Sequence, residues 1–209
     1  MRFAPAIGAL LGVVLATVHW AVQPSLKGLL TVTAAAVLTR GMHLDGLADT
    51  VDALGSYKDR RRALEIMKSP EVGPFAVVAL ILVIALQATA LASIGFLGVV
   101  VAYSTGRLAA AVGCARGVPA ARPDGLGALV AGTVERAYLA LCGFVCAAVA
   151  VAAVPGRWWQ GPLAVLAALA LTVLLVWHAT KRFGGITGDV LGFLVEIATT
   201  VALIGLSAA

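Results

Sequence analysis

Apolar residues run through this chain in long blocks, and short polar segments interrupt them. A membrane span needs about 20 predominantly apolar residues. Seven stretches fit that pattern: Phe3–Val22, Leu26–Arg40 running into 41–54, Pro74–Phe96, Leu97–Ala115, Arg136–Val154, Trp159–Thr180 and Gly188–Leu206. The second is unusual because its C-terminal half is acidic, and the third and fourth are joined by a very short turn around Gly95. No alternating apolar pattern recurs, so strands are not expected. The first stretch is longer than the apolar core of a signal peptide, and no small-x-small pattern follows it cleanly. It reads as a spanning helix. The expected fold is all-α, a polytopic integral membrane protein with about seven transmembrane helices, and residues 1–209 form a single unit.

Composition sharpens this. Of 209 residues, 61% are hydrophobic and 12% charged, against about half and about a quarter in soluble domains. That excludes a soluble enzyme, a disordered tail, a disulfide-rich secreted module and a nucleic-acid binder. The net charge of +5 follows from where the basic residues lie. Lys58, Arg60, Arg61, Arg62 and Lys68 crowd one inter-span segment, Arg116, Arg122 and Arg136 another, and Lys181 and Arg182 a third, with Arg2 at the N-terminus. The alternate loops hold only Lys27 and Arg157. With seven spans all the basic segments share one side, expected to be the cytoplasm, and the C-terminus lies outside. The run Lys58–Pro70 reads first as a topology signal touching anionic lipid, with phosphate binding as the sharper alternative. Cys114, Cys142 and Cys146 are an odd number in apolar surroundings, so they do not read as a disulfide framework. Cys142 and Cys146, four apart, read as small packed hydrophobes rather than a metal pair.

The polar residues then point to chemistry. Asp45, Asp49 and Asp52 stand at i, i+4 and i+7, within an arc of about 60° on a helix. Such a stripe of like charge beside a bilayer is costly unless a cation joins it. Carboxylate oxygens suit Mg²⁺ or Mn²⁺ rather than zinc. The apolar residues between them, Leu44, Leu47, Ala48 and Val51, indicate a helix enclosed on its other sides. The second signal is Lys181-Arg182-Phe183-Gly184-Gly185-Ile186-Thr187-Gly188-Asp189. Two basic residues precede a glycine-rich turn that opens a predicted helix, a backbone arrangement suited to phosphate. Asp189 and Glu196, seven apart, share a face and offer further ligands or a base. Arg107 inside a span and Arg122 in a polar loop are guanidinium forks suited to phosphate. His19, His43 and His178 are scattered, and each reads as packed or interfacial. The chemical residues all cluster at the cytoplasmic ends of spans. Acids for a divalent ion, bases for phosphate and a glycine turn on one side are what phosphoryl transfer requires. A transporter more often places its acids near mid-membrane.

These segments resemble a known family. Gly41–Ala53 resembles the Gly-x-His-Leu-Asp-Gly-Leu-Ala-Asp-Thr-x-Asp signature of the cobalamin synthase (adenosylcobinamide-GDP ribazoletransferase) family. Gly184-Gly185-x-Thr187-Gly188-Asp189-x-Leu191-Gly192 with Glu196 resembles its C-terminal signature. Ala121-Arg122-Pro123-x-Gly125-Leu126-Gly127 resembles its middle motif, and Glu65-Ile66-Met67-Lys68 with Gly73 the segment after the acidic helix. The likeness covers nearly the whole chain in order. It implies a membrane enzyme with catalytic loops facing the cytoplasm, in the bacterial or archaeal inner membrane. There a hydroxyl of α-ribazole, or of its 5′-phosphate, attacks adenosylcobinamide-GDP, GMP leaves, and Mg²⁺ assists. Asp45, Asp49 and Asp52 are then the expected metal ligands. Asp52, Asp189 and Glu196 are the candidates for acid–base work. Arg107, Arg122, Lys181, Arg182, Gly184, Gly185, Thr187 and Gly188 are the expected substrate-binding positions. The expected partners are these two small molecules and membrane lipid, with no nucleic acid; a homo-oligomer stays open. Two departures stand out: Ser69 follows Lys68 where relatives carry Asp, and the chain begins close to its first span. The acid pattern also resembles the CDP-alcohol phosphotransferases, whose full signature is absent. A lipid-alcohol phosphotransferase and a divalent-cation transporter are the rival expectations.

Overall fold

The computed structural model describes residues 1–208, and among them the chain forms ten helices. They are α1 (Ala4–Ala21), α2 (Lys27–Leu38), α3 (Met42–Gly55), α4 (Arg60–Ile66), α5 (Pro74–Leu91), α6 (Phe96–Gly113), α7 (Gly125–Val130), α8 (Arg136–Ala150), α9 (Gln160–Phe183) and α10 (Gly188–Ser207). Five of the seven expected spans, α1, α5, α6, α9 and α10, are helices long and apolar enough to cross a membrane. The helices in the other two, α2 with 12 residues and α8 with 15, are shorter. Short helices α4 and α7 sit in the two long polar segments.

Local chemistry sets the breaks. The stretch expected to run from Leu26 into residue 54 is split, because Arg40 and Gly41 both take left-handed backbone (φ 54° and 69°). The Gly41 N–H reaches back to the Ala36 carbonyl at 2.7 Å, closing the end of α2 so that α3 leaves in a new direction. Pro74 at the first turn of α5 needs no N–H partner there. Gly184 (φ 81°) ends α9, and the Thr187 hydroxyl caps α10 by accepting from the Val190 N–H at 3.1 Å.

Helices α6 and α10 form the centre. Two thirds of each spanning window is buried, against about a third or less for α1, α5 and α9. α6 packs on α1, α8, α9 and α10, while α10 also packs on α3 and α5. The outer helices present large apolar side chains, among them Leu10, Val13, Trp20, Leu82, Phe144 and Leu174, to their surroundings. Such a belt is stable only against lipid. Association inside lipid depends on close packing rather than on expelling water. Gly8 and Gly12 of α1 accordingly meet α6 so closely that a Cβ would lie 2.6 Å from Arg107 Cβ and 2.9 Å from Val100 Cα.

Candidate active site

The acidic helix α3 buries Leu47, Ala48 and Ala53, leaving Asp45 exposed and Asp49 half-buried. Its partner is the first half of α10. A Cβ on Gly46 would stand 2.6 Å from the Asp189 carbonyl oxygen and 3.1 Å from Gly192 Cα. Only a glycine allows backbones to touch so closely, and the contact carries the α10 acid to the α3 acids. Asp49 lies within Coulombic reach of Asp45, Asp52, Asp189 and Arg122. Two sequence signals some 140 residues apart thus meet at one place.

Arg122 completes the group. Its Nη2 is 3.6 Å from Asp189 Oδ2, and its Nε and Nη2 are buried without a hydrogen-bond partner. Buried guanidinium N–H groups are costly to leave unbonded, so their freedom marks a place for an anion. The arginine is held by the glycine turn. Ile186 N–H donates to the Pro119 carbonyl (3.0 Å) and Ala121 N–H to the Ile186 carbonyl (2.9 Å), a short parallel bridge between the two segments. A Cβ on Gly185 would lie 2.3 Å from the Pro119 oxygen. Thr187 adds a hydroxyl that donates to Asp189 Oδ2 at 3.1 Å. Part of the turn's backbone is therefore used to place Arg122, and Gly188 opens α10 beside it.

The remaining expected residues fall into distinct places. Asp52 accepts from the Gly73 N–H (2.6 Å) and the Ala76 N–H (2.9 Å), so both its oxygens cap the first turn of α5. Glu196 lies two turns along α10 from Asp189, about 10 Å, where Gln87 donates to it at 2.8 Å. Arg107 lies within Coulombic reach of Glu196 and bonds to His43, which is buried. Lys181 rests on the Trp177 ring at 4.0 Å, and Arg182 donates to the Lys58 carbonyl. The structure thus gathers Asp45, Asp49, Asp189 and Arg122 with Thr187 and the glycine turn. It ties Asp52, Lys181 and Arg182 to their own neighbours and sets Glu196 and Arg107 in a deeper polar layer.

Two features escaped the sequence reading. Gln87 is a polar residue inside an otherwise apolar span, which is itself a signal; it bridges Glu196 and Thr200. Arg60 donates to the Ala121 carbonyl at 3.2 Å, buttressing the Arg122 loop from α4; nothing in a run of basic residues singles it out. The loop is also held by Lys68, 3.2 Å from Asp124, whose hydrogen bond keeps that carboxyl below its ordinary range. The Asp59 carboxyl is lowered likewise by the Arg62 N–H it accepts at the start of α4.

Among the described residues no three His, Cys, Asp or Glu side chains converge closely enough to hold a metal ion by themselves. Mg²⁺ keeps several waters and binds through one or two carboxylates plus substrate phosphates, so two carboxylates are what these residues could offer it. The donor chemistry fits: hard oxygens from two helices beside a guanidinium with unbonded N–H groups.

The family model described as cobalamin-5-phosphate synthase matches residues 1–207. A protein of Frankia casuarinae named adenosylcobinamide-GDP ribazoletransferase is 41% identical, the match covering 98% of this chain and 83% of that one. Proteins of the same name from a Nocardioides species (39%; 100% and 86%) and Pseudomonas entomophila (38%; 99% and 86%) are similar over comparable lengths. No solved structure matches the chain.

Proposed function

The chain belongs to the cobalamin-5-phosphate synthase family, and from that premise we propose that it is a membrane phosphotransferase of cobalamin nucleotide-loop assembly. It joins α-ribazole, or its 5′-phosphate, to adenosylcobinamide-GDP and releases GMP. The observation that carries the site assignment is the meeting of Asp45, Asp49 and Asp189 with Arg122, whose buried Nε and Nη2 make no hydrogen bond.

The chemistry follows from those positions. An oxygen of the ribazole attacks the phosphorus next to the corrinoid arm. The new P–O bond forms as the bond to GMP breaks, and the hydroxyl proton passes to a carboxylate. In such transfers the protein mostly positions groups and neutralises charge. Arg122 binds non-bridging phosphate oxygens through its free N–H groups. Thr187 orients the Asp189 carboxylate, and the Gly46–Gly192 contact fixes its distance from α3. Asp45 and Asp49 would hold Mg²⁺ together with the substrate's phosphates, with Asp189 beside them. When bound, that ion supplies positive charge to the diphosphate and to the leaving oxygen. The loops carrying this site face the cytoplasm, and the host membrane is the inner membrane.

The test uses the full-length protein in detergent with cobinamide-GDP, α-ribazole and MgCl₂, reading GMP release. GMP should appear, and should stop on adding EDTA and return with Mg²⁺. D45A and D49A should each abolish turnover at saturating substrate. Near-normal turnover in both variants would remove the carboxylate site. CMP released from CDP-diacylglycerol, with no GMP from cobinamide-GDP, would make the protein a lipid enzyme instead.

A further inference from the structure

Two clefts meet the acidic stripe, one at each end. At the Asp52 end, a cleft of about 440 Å³ is lined by polar groups such as Arg62, Glu65, Ser69 and Glu71. At the Asp45 end the cleft is larger, about 1200 Å³. Pockets for drug-sized ligands run to about 300–1,000 Å³, so this one exceeds what a nucleoside or an alcohol needs. Its walls are apolar, with Ile7 and Leu11 from α1 and Leu80 and Ile84 from α5. One end is polar: Arg40, His43, Asp45 and Arg107 line it.

Behind Arg107 lies a recess with about 20 Å³ open to the centre of a water, room for roughly one. Tyr103 and Thr199 line it, both buried, and neither hydroxyl has a hydrogen-bond partner. Glu196 and Gln87 line it too. Buried hydroxyls are nearly always bonded. Two free ones around so small a space, beside a guanidinium, leave room for one polar group from a ligand in the cleft.

We propose that this large cleft seats the macrocycle of the activated substrate: an apolar ring face lies against α1 and α5, a rim amide reaches the Arg107 recess, and the diphosphate arm leaves past Asp45. The assignment rests on the reaction proposed above. A lipid acyl chain fits the walls but leaves the polar end and both free hydroxyls unanswered. A nucleoside fits the polar end but leaves most of the apolar wall uncovered. A ring with apolar faces and an amide periphery satisfies both. Its arm also comes out at the first acid of the stripe, where the reacting phosphorus must lie.

The experiment uses full-length protein in detergent and the coloured probe cobinamide, without nucleotide, followed by equilibrium dialysis. L80W and I84W narrow the cleft by apolar-for-apolar exchange. T199V removes a hydroxyl that bonds to nothing in the protein, so its thermal unfolding should match the parent. All three should weaken cobinamide binding, the tryptophan variants by about tenfold. KM for cobinamide-GDP should rise in parallel, with KM for α-ribazole and kcat held. Unchanged cobinamide binding in all three, in variants that unfold like the parent, overturns the assignment. So does loss of co-purified phospholipid in L80W and I84W with no change toward cobinamide. If the parent releases GMP but L80W and I84W leave KM alone, the cleft assignment fails and the reaction stands. If the parent holds cobinamide in a manner sensitive to these changes yet releases no GMP, the reaction fails and the cleft stands.

Discussion

Asp52 and Arg122 carry opposite lessons at the scale of single residues. Asp52 belongs by spacing to the acidic stripe, yet its oxygens accept from two N–H groups at the start of α5. Capping of this kind contributes about 1 kcal/mol. D52A should therefore lower the thermal unfolding temperature in detergent, while D52N, which keeps one acceptor but turns an NH2 toward the other N–H, should recover only part of it. A D52A protein as stable as its parent but without turnover would return the residue to the chemistry. Arg122, by contrast, is marked in the sequence as a phosphate-suited guanidinium, and the structure keeps that role open: beside Asp189 its buried Nε and Nη2 make no hydrogen bond. Hydrogen bonds to charged groups contribute about 1.5–3 kcal/mol. R122K keeps the charge but loses the planar fork, so KM for cobinamide-GDP should rise roughly 10- to 100-fold. An unchanged KM would take Arg122 out of phosphate binding.

For the helices, the decisive contact is the crossing of α3 and α10. Neither helix carries the site alone, and the crossing depends on Gly46 having no Cβ, since one would lie 2.6 Å from the Asp189 carbonyl oxygen. G46A should separate the two acids, costing turnover and unfolding temperature together. G143A in α8, where the added carbon would meet Leu169 Cδ1 at an ordinary 3.5 Å, should change neither. Retention of both properties in G46A would mean the crossing is not what places Asp189. The sequence reading found both helices and the acidic face, because an apolar block and a three-to-four spacing are local properties. It ran α2 and α3 together, because the left-handed backbone at Arg40 and Gly41 that separates them leaves little trace in hydropathy.

Taken whole, the molecule brings its polar segments to one end. Lys68 meets Asp124, Arg60 meets the Ala121 carbonyl, Arg182 meets the Lys58 carbonyl, and the glycine turn pairs with residues 119–121. Segments so joined cannot lie on opposite faces of a membrane. In a cysteine-free background, R61C and R116C should react with a membrane-impermeant maleimide only after the cytoplasmic side is opened, and W158C only from outside. Labelling of R61C and R116C from different sides would break the arrangement. Hydropathy and the run of charges thus determined the all-helical membrane class, the approximate spans and the acid and glycine motifs, because each is written in residues near one another in the chain. Which acid meets which base was decided by the fold. Asp45, Asp49, Asp189 and Arg122 come from three separate segments, and Asp52 and Glu196 turn to other partners. Glycine-to-glycine contact, helix capping and the pairing of the 119–121 loop with the turn set those neighbours, and such contacts exist only once the helices pack.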